Sequence, residues 1–370
     1  SGTHDFTINR RIISLSGTRL YDATTNAVAS DLSTHSNLVG SQTLALSGTG
    51  TITSKNVESN KTVSVGTLAL ADGSNGGLAA NYTLSGGTHQ LTVNQRPLNA
   101  TLARQYDAST TAAGSTISSF NALQGGENLT MTGSGTASSA NVANGISLSN
   151  NGNLALADGS GGSAGLASNY SLNSTVINIT PRVLNSSGSK TYDANTNAIA
   201  SIITLSNLAG GETLSHSGTA STSSANAGSY TINNLSGISI SNGTGTASNY
   251  TLTGGTHSFI IAERAISVNG TRLYDATSNA EASDLSTQTN LVGSQTLVLS
   301  GTGIIASRDV GSNKTVSVGT LTLADGSNGG LAANYTLSGG THQLTVTQRP
   351  LNSSGSKAYD ANTDALANAC

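Results

Sequence analysis

Apolar residues alternate with polar ones in short runs along most of the chain. Between residues 265 and 349 the pairs are Ile266 and Val268, Leu297 and Leu299, Val316 and Val318, Leu321 and Leu323, Tyr335 and Leu337, and Leu344 and Val346. Runs of period two bounded by Gly, Ser, Asn and Asp predict half-buried antiparallel strands. Ser300-Gly301-Thr302-Gly303 and Asp325-Gly326-Ser327-Asn328-Gly329-Gly330 read as turns, where Gly and Asn supply positive φ cheaply. No stretch carries a helical period, and Ala276 to Leu285 holds at most one helical turn. A β-solenoid would repeat every ~20–30 residues, and no such sub-period exists. The pattern predicts an all-β chain. Its tandem, small, antiparallel β-sandwich-like domains (Ig-like or β-grasp-like) would form an extended rod.

The domain size follows from an internal repeat. Tyr-Asp-Ala recurs at Tyr21-Asp22, Tyr106-Asp107, Tyr192-Asp193, Tyr274-Asp275 and Tyr359-Asp360, at spacings of 85, 86, 82 and 85 residues. A second marker, Asn-Tyr-(Thr/Ser)-Leu, places Tyr82, Tyr170, Tyr250 and Tyr335 about sixty residues later. Ten residues before each Tyr-Asp-Ala stands an arginine: Arg11, Arg96, Arg182, Arg264 and Arg349. These arginines mark the junctions. Residues 1–11 read as the end of a preceding repeat, 12–96, 97–182, 183–264 and 265–349 as repeats one to four, and 350–370 as the start of a further one. The orphan ends are expected to carry a closing strand, Asp5 to Asn9, and opening strands, Leu351 to Cys370. The register predicts a window of a longer protein.

Lys61 to Val93 matches Lys314 to Val346 with one difference, while Asn352 to Lys357 copies Asn185 to Lys190. Repeats have been duplicated and shuffled as modules, which suits a spacer of variable length and suits an active site poorly.

Composition narrows the function further. Charged residues are 9% of the chain and the net charge is -3, which gives no electrostatic footprint for nucleic acid. No apolar run approaches the ~18 residues of a membrane span, so no membrane insertion is expected in this segment. No signal peptide is recognised at its start. The single cysteine, Cys370, cannot pair within the chain. Opposite Ile203 when Tyr359 is aligned with Tyr192, it reads as a small buried apolar residue.

Candidate chemistry is sparse. In each Tyr-Asp the tyrosine is expected to cover an edge of the core while its hydroxyl finds a partner. The aspartate is expected to accept backbone N–H groups in an Asx-turn. The competing reading is a sugar platform, which needs the ring exposed. The junction arginines read as inter-domain ion pairs, with the Tyr-Asp aspartate the candidate partner, or as cover for exposed carbonyls. The loop at Asp72, repeated at Asp325, has one carboxylate where calcium wants several oxygens, so no metal is expected. His4, His89, His257 and His342 belong to a Gly-Thr-His repeat without an acidic partner at fixed spacing, and no nucleophile elbow or phosphate loop appears. Neither enzyme activity nor a cofactor is expected. Sequons are dense. The Asn before Tyr is expected to be buried, and Asn60 and Asn313 of Asn-Lys-Thr to be the accessible ones.

Together the markers resemble the YDG-type repeat domain of large secreted, filamentous-haemagglutinin-like bacterial adhesins. The resemblance is carried by Tyr192-Asp193-Ala194, Leu208-Ala209-Gly210, Ser217-Gly218-Thr219-Ala220 and Asn249-Tyr250-Thr251-Leu252. Val310 to Val316 and Ile179-Thr180-Pro181-Arg182 add to it. Alanine replaces the family's glycine in all five triplets. The resemblance implies an extracellular, cell-surface stalk or spacer serving adhesion or biofilm, with neighbouring repeats of the same protein as partners. The alternatives are a repeat module that binds exopolysaccharide or host glycans, and a subunit that self-associates into filaments by strand complementation.

Overall fold

A computed structural model describes residues 2–362. Cys370 and its expected place opposite Ile203 lie outside the described residues. The chain is all-β, several of its sheets curl into half-barrels, and no α-helix occurs among the described residues. It divides into two compact units. One holds the chain up to residue 182 with 208–212 and 245–251; the other holds 183–207, 213–244 and the chain from 252 onward.

Each repeat is built on one mixed sheet. In the first its order is Asn26–Val28, Thr49–Ile52, Glu58–Ser64, Gln90–Asn94, Ser14–Leu20 and Thr34–Ser36. The second repeat has the same order, with Arg96–Gln105 opening and Tyr170–Thr180 closing it. The other two follow suit, Asn185–Thr191 with His257–Ala262 and Ser267–Leu273 with Gln343–Thr347. The antiparallel expectation fails at one place in every repeat, because the opening and closing strands pair in parallel: Gln90↔Ser16 through Asn94↔Leu20 in the first. A parallel pair needs a long crossover, and nearly the whole repeat lies between these strands in sequence. Period-two alternation is blind to this choice. Its consequence is directional: the chain enters a repeat at one end and leaves it at the other. After Gln90–Asn94 a single residue separates the closing strand from Arg96–Gln105.

A smaller ribbon, Leu44–Ser47 against Ala69–Asp72, leaves the sheet at Gly48. Gly48 has φ +84, and a Cβ there would sit 2.1 Å from the Thr67 carbonyl oxygen. The Ser-Gly-Thr segment is therefore a kink that passes one strand from ribbon to sheet. Gly301 does the same in the fourth repeat at φ +87, where a turn was expected.

The predicted apolar pairs face the core. Ile266, Val268, Leu344 and Val346 are buried, as are Leu15, Leu91 and Val93 of the first repeat. His89 bridges two core segments: its Nδ1 accepts the Leu15 N–H at 3.2 Å and its Nε2 donates to the Leu84 carbonyl at 2.9 Å. His342 repeats the bridge to Val268 and Leu337. Asp72, in the loop with a calcium-like sequence, accepts the Ala79 N–H at 2.8 Å and so caps the turn before Asn81. Residues 2–10 and 350–362 carry no strands. The expected strands at Asp5–Asn9 and from Leu351 are absent there, since neither segment has a ladder partner; the remainder of the tail lies outside the described residues.

Candidate functional site

The markers of one repeat do not meet each other. The Tyr-Asp of one repeat meets the Asn-Tyr of the next. Tyr21 and Tyr170 pack edge to face with ring centroids 5.2 Å apart and an interplanar angle of 77°. Tyr106 and Tyr250 do so at 5.4 Å, and Tyr192 and Tyr335 at 5.3 Å, each again at 77°. All six rings are at most 5% exposed, so none offers a face to a sugar.

One polar side chain ties each tyrosine pair. Glu127 accepts the Tyr21 hydroxyl at 2.6 Å on one oxygen and the Tyr170 hydroxyl at 2.9 Å on the other. Glu212 holds Tyr106 at 2.7 Å and also Tyr250. Gln295 accepts from Tyr335 and donates to the Tyr192 oxygen at 3.0 Å. Carboxylate and amide serve the same position because a phenol can both give and take a hydrogen bond. Lys55 adds an ion pair to Glu127. These residues were not singled out from the sequence. Their signal was an acid or amide 20 or 21 residues after each Tyr-Asp tyrosine: Gln42, Glu127, Glu212 and Gln295.

The asparagine before the second tyrosine is the next tie. The Asn169 Oδ1 accepts the Val57 N–H at 2.9 Å, and its Nδ2 donates to Asn56 at 3.0 Å. Asn249 makes the same two bonds to Val142 and Asn141, and Asn334 to Ala227 and Asn226. These three asparagines are buried, whereas Asn81 in the same motif is exposed. The sequons therefore divide: Asn169, Asn249 and Asn334 are inaccessible, while Asn60, Asn313 and Asn81 face solvent. Replacing Asn249 by Ala strands a buried N–H and is expected to cost about 1–3 kcal/mol, measured as a lower denaturant midpoint. Asn81→Ala is expected to leave the midpoint in place.

The junction arginines lie in register beside the second tyrosine, as in Arg96↔Tyr170, Arg264↔Tyr335 and Arg11↔Tyr82. They cover carbonyls. Arg96 donates to the Tyr21 carbonyl at 2.6 Å, Arg182 to that of Tyr106 at 3.4 Å, and Arg264 to that of Tyr192 at 3.2 Å. Arg349 is exposed. The aspartate expected as their partner pairs instead with a cation three residues before it: Asp22 with Arg19, Asp107 with Arg104, Asp193 with Lys190, Asp275 with Arg272 and Asp360 with Lys357. Each aspartate also accepts the N–H two residues on, which closes the Asx-turn. The turn fixes the direction in which the tyrosine leaves its repeat. Tyr274 is half-buried and Tyr359 is 96% exposed.

Burial and the Glu212 bond push the Tyr106 phenol up to about 12; burial and Glu127 do the same for Tyr170. Tyr21, Tyr250 and Tyr335 are raised as well, chiefly by burial. A folded-state pKa above the unfolded value of ~10 gives stability that is complete below pH ~10 and lost as pH rises through the folded value. A phenolate absorbance titration is expected to leave Tyr106 and Tyr170 protonated at about pH 11 and to show them ionising only as the junctions open. Ionisation of every tyrosine near 10 would contradict the buried clusters.

Among the described residues no group of three His, Cys, Asp or Glu side chains converges as metal ligands. The YDG domain model matches residues 7–91, 178–257 and 262–343, about two thirds of the chain. Residues 97–177 lie outside those matches, yet their strands share the common sheet order. No curated protein matches the chain.

Proposed function

The chain belongs to the YDG domain family, and from that premise we propose that it is a structural stalk or spacer of a bacterial cell-surface adhesin or extracellular fibre. Its repeats serve as tandem, sandwich-like domains stacked end to end in a rod, with neighbouring repeats as their partners. The observation that carries this reading is the recurrence of one junction, tyrosine pair plus Glu or Gln plus buried Asn, at three successive boundaries. A spacer must transmit length without bending freely. Buried aromatic pairs with satisfied hydroxyls oppose hinge motion where a polar linker would permit it.

Two further features support the reading. Opening and closing strands run in the same direction, so successive repeats advance along one axis. The surface is built from hydroxyls and amides, with only 9% of residues charged, and such a surface suits an inert shaft more than a binding tip. Small-angle scattering and negative-stain microscopy test the proposal. Four repeats with strands of roughly ten residues along the axis give a rod of about 150 Å. A maximum dimension typical of a compact globule overturns the rod and, with it, the spacer role.

A further inference from the structure

The first repeat carries a junction socket with nothing in it. Gln42 stands where Glu127, Glu212 and Gln295 stand, Tyr82 where Tyr170 stands, and Asn81 where the buried Asn169 stands. Around them lies an open cavity of about 410 Å³ lined by Arg11, Val39, Gln42, Asn81 and Tyr82, among others. The socket already has the geometry of an occupied one. Arg11 donates from Nε and Nη2 to the backbone and side-chain oxygens of Asn37 at 2.7 and 2.8 Å. Arg264 makes the same pair of bonds to Asn290 at 2.7 Å each, and its Nη1 holds the incoming Tyr192 carbonyl. Tyr82 bonds to Gln42 and accepts the Val39 N–H at 3.1 Å, as Tyr335 bonds to Gln295 and accepts from Val292 at 3.0 Å.

The fourth repeat carries the matching plug. Tyr274, Asp275 and Ala276 form the Asx-turn of the other repeats: Asp275 pairs with Arg272 and accepts the Thr277 N–H, and Ala276 has φ 66. Tyr274 is half-buried, where Tyr21, Tyr106 and Tyr192 are at most 3% exposed. Asp309-Val310 occupies the place of Asn56-Val57, and Val310 is 50% exposed.

We propose that the Gln42–Tyr82–Asn81–Arg11 socket binds the Tyr274–Asp275–Ala276 turn of a second copy of this chain. The Tyr274 ring packs edge to face on Tyr82 and its hydroxyl reaches Gln42. Its carbonyl takes Arg11 Nη1. Asn81 accepts the Val310 N–H and donates to the Asp309 carboxylate, a charged acceptor where the internal junctions use an asparagine. Socket and plug are different surfaces, so the contact is heterologous and repeats without closing. It adds one more junction of the kind the chain makes internally and needs no strand exchange. The inference rests on the junction geometry and stands whether or not the repeats act as a stalk.

Sedimentation velocity of the full chain over a concentration series is the first test. Species growing beyond the dimer are expected, with Tyr274→Ala and Gln42→Ala each weakening association, the tyrosine change by about thirtyfold as for an interface anchor. A monomer at every concentration overturns the proposal. So does association that survives Tyr274→Ala, or that is lost in Tyr359→Ala instead, which would make the tail turn the occupant. A mixing experiment reads the contact directly. Ala23 Cβ lies 2.8 Å from the position a Cβ on Gly125 would take, so its counterparts are Ala276 and Gly40. Gly40→Cys and Ala276→Cys chains, both also carrying Cys370→Ser, are expected to give a disulfide-linked mixed dimer on oxidation. No mixed dimer above the level of either chain alone overturns the contact. The rod measurement above is independent: a rod that does not associate leaves the spacer reading standing, and association of a globule leaves this one.

Discussion

Glu127→Ala uncouples the first two repeats. The Glu127 carboxylate is the shared acceptor for two buried phenols and the partner of Lys55. Removing it leaves the Tyr21 and Tyr170 hydroxyls buried without it, each at a cost of about 1–3 kcal/mol, and deletes charge-assisted bonds that are stronger than neutral ones. The expected loss is ~3 kcal/mol or more in the free energy coupling the two repeats. It should appear in chemical denaturation as an early phase separated from the main transition. Glu127→Gln is the informative control. Gln295 does the same work in the fourth repeat, so the amide should recover most of the loss. A single transition at the wild-type midpoint for Glu127→Ala would mean that the tyrosine pair holds the junction unaided.

The same group gives that junction an acid limit. Burial pushes the Glu127 carboxyl up, but hydrogen bonds from Lys55, Tyr21 and Tyr170 outweigh it and hold the group below the usual glutamate range. A depressed folded-state pKa contributes stability that is present above the unfolded value and lost as pH falls through the folded one. Coupling between the first two repeats should weaken on acidification below the ordinary glutamate range. The Gln295 junction has no carboxylate at that position and should not follow.

The sequence made the modules legible and hid the way they join. Tyrosine and asparagine markers at a fixed spacing declare a repeat, and period-two apolar pairs such as Leu344 and Val346 declare strands that face a core. Strand direction has no such signature. Side chains of the parallel pair Gln90–Asn94 and Ser14–Leu20 alternate as antiparallel ones would. The junction was obscured for a different reason. Tyr21 and Tyr170 are 149 residues apart, and a repeat reads most naturally as a unit whose own markers meet. Glu127 and Gln295 looked like two unrelated loop residues, because their shared task depends on a phenol that can both donate and accept. The arginines were found by spacing, but their bond to the Tyr carbonyl, rather than to the neighbouring aspartate, depends on the Arg19–Asp22 type of pair claiming that aspartate first.

Glycine in place of the triplet alanine should stabilise the chain at every repeat. Ala23, Ala108, Ala194 and Ala276 have φ of 63, 65, 62 and 66, the left-handed region in which an L-residue with a Cβ costs roughly 1–2 kcal/mol. The family's glycine carries no such penalty. Glycine also gives the unfolded chain more freedom, which offsets roughly 0.5–1 kcal/mol. The net gain expected is about 0.5–1 kcal/mol at each site. The sites lie in different repeats without shared partners, so their effects should add, to about 2–4 kcal/mol for the fourfold variant. Ala276→Gly is the cleanest single test. Ala23 and Ala108 touch Gly125 and Gly210 of the next repeat, so their methyl groups carry a small contact that the substitution removes. Thermal and denaturant midpoints of the four single variants and their combination decide the matter. Unchanged or lowered midpoints at all four positions would show that the Asx-turn, through the aspartate's bond to the N–H two residues on, relieves the left-handed strain of alanine without need of glycine.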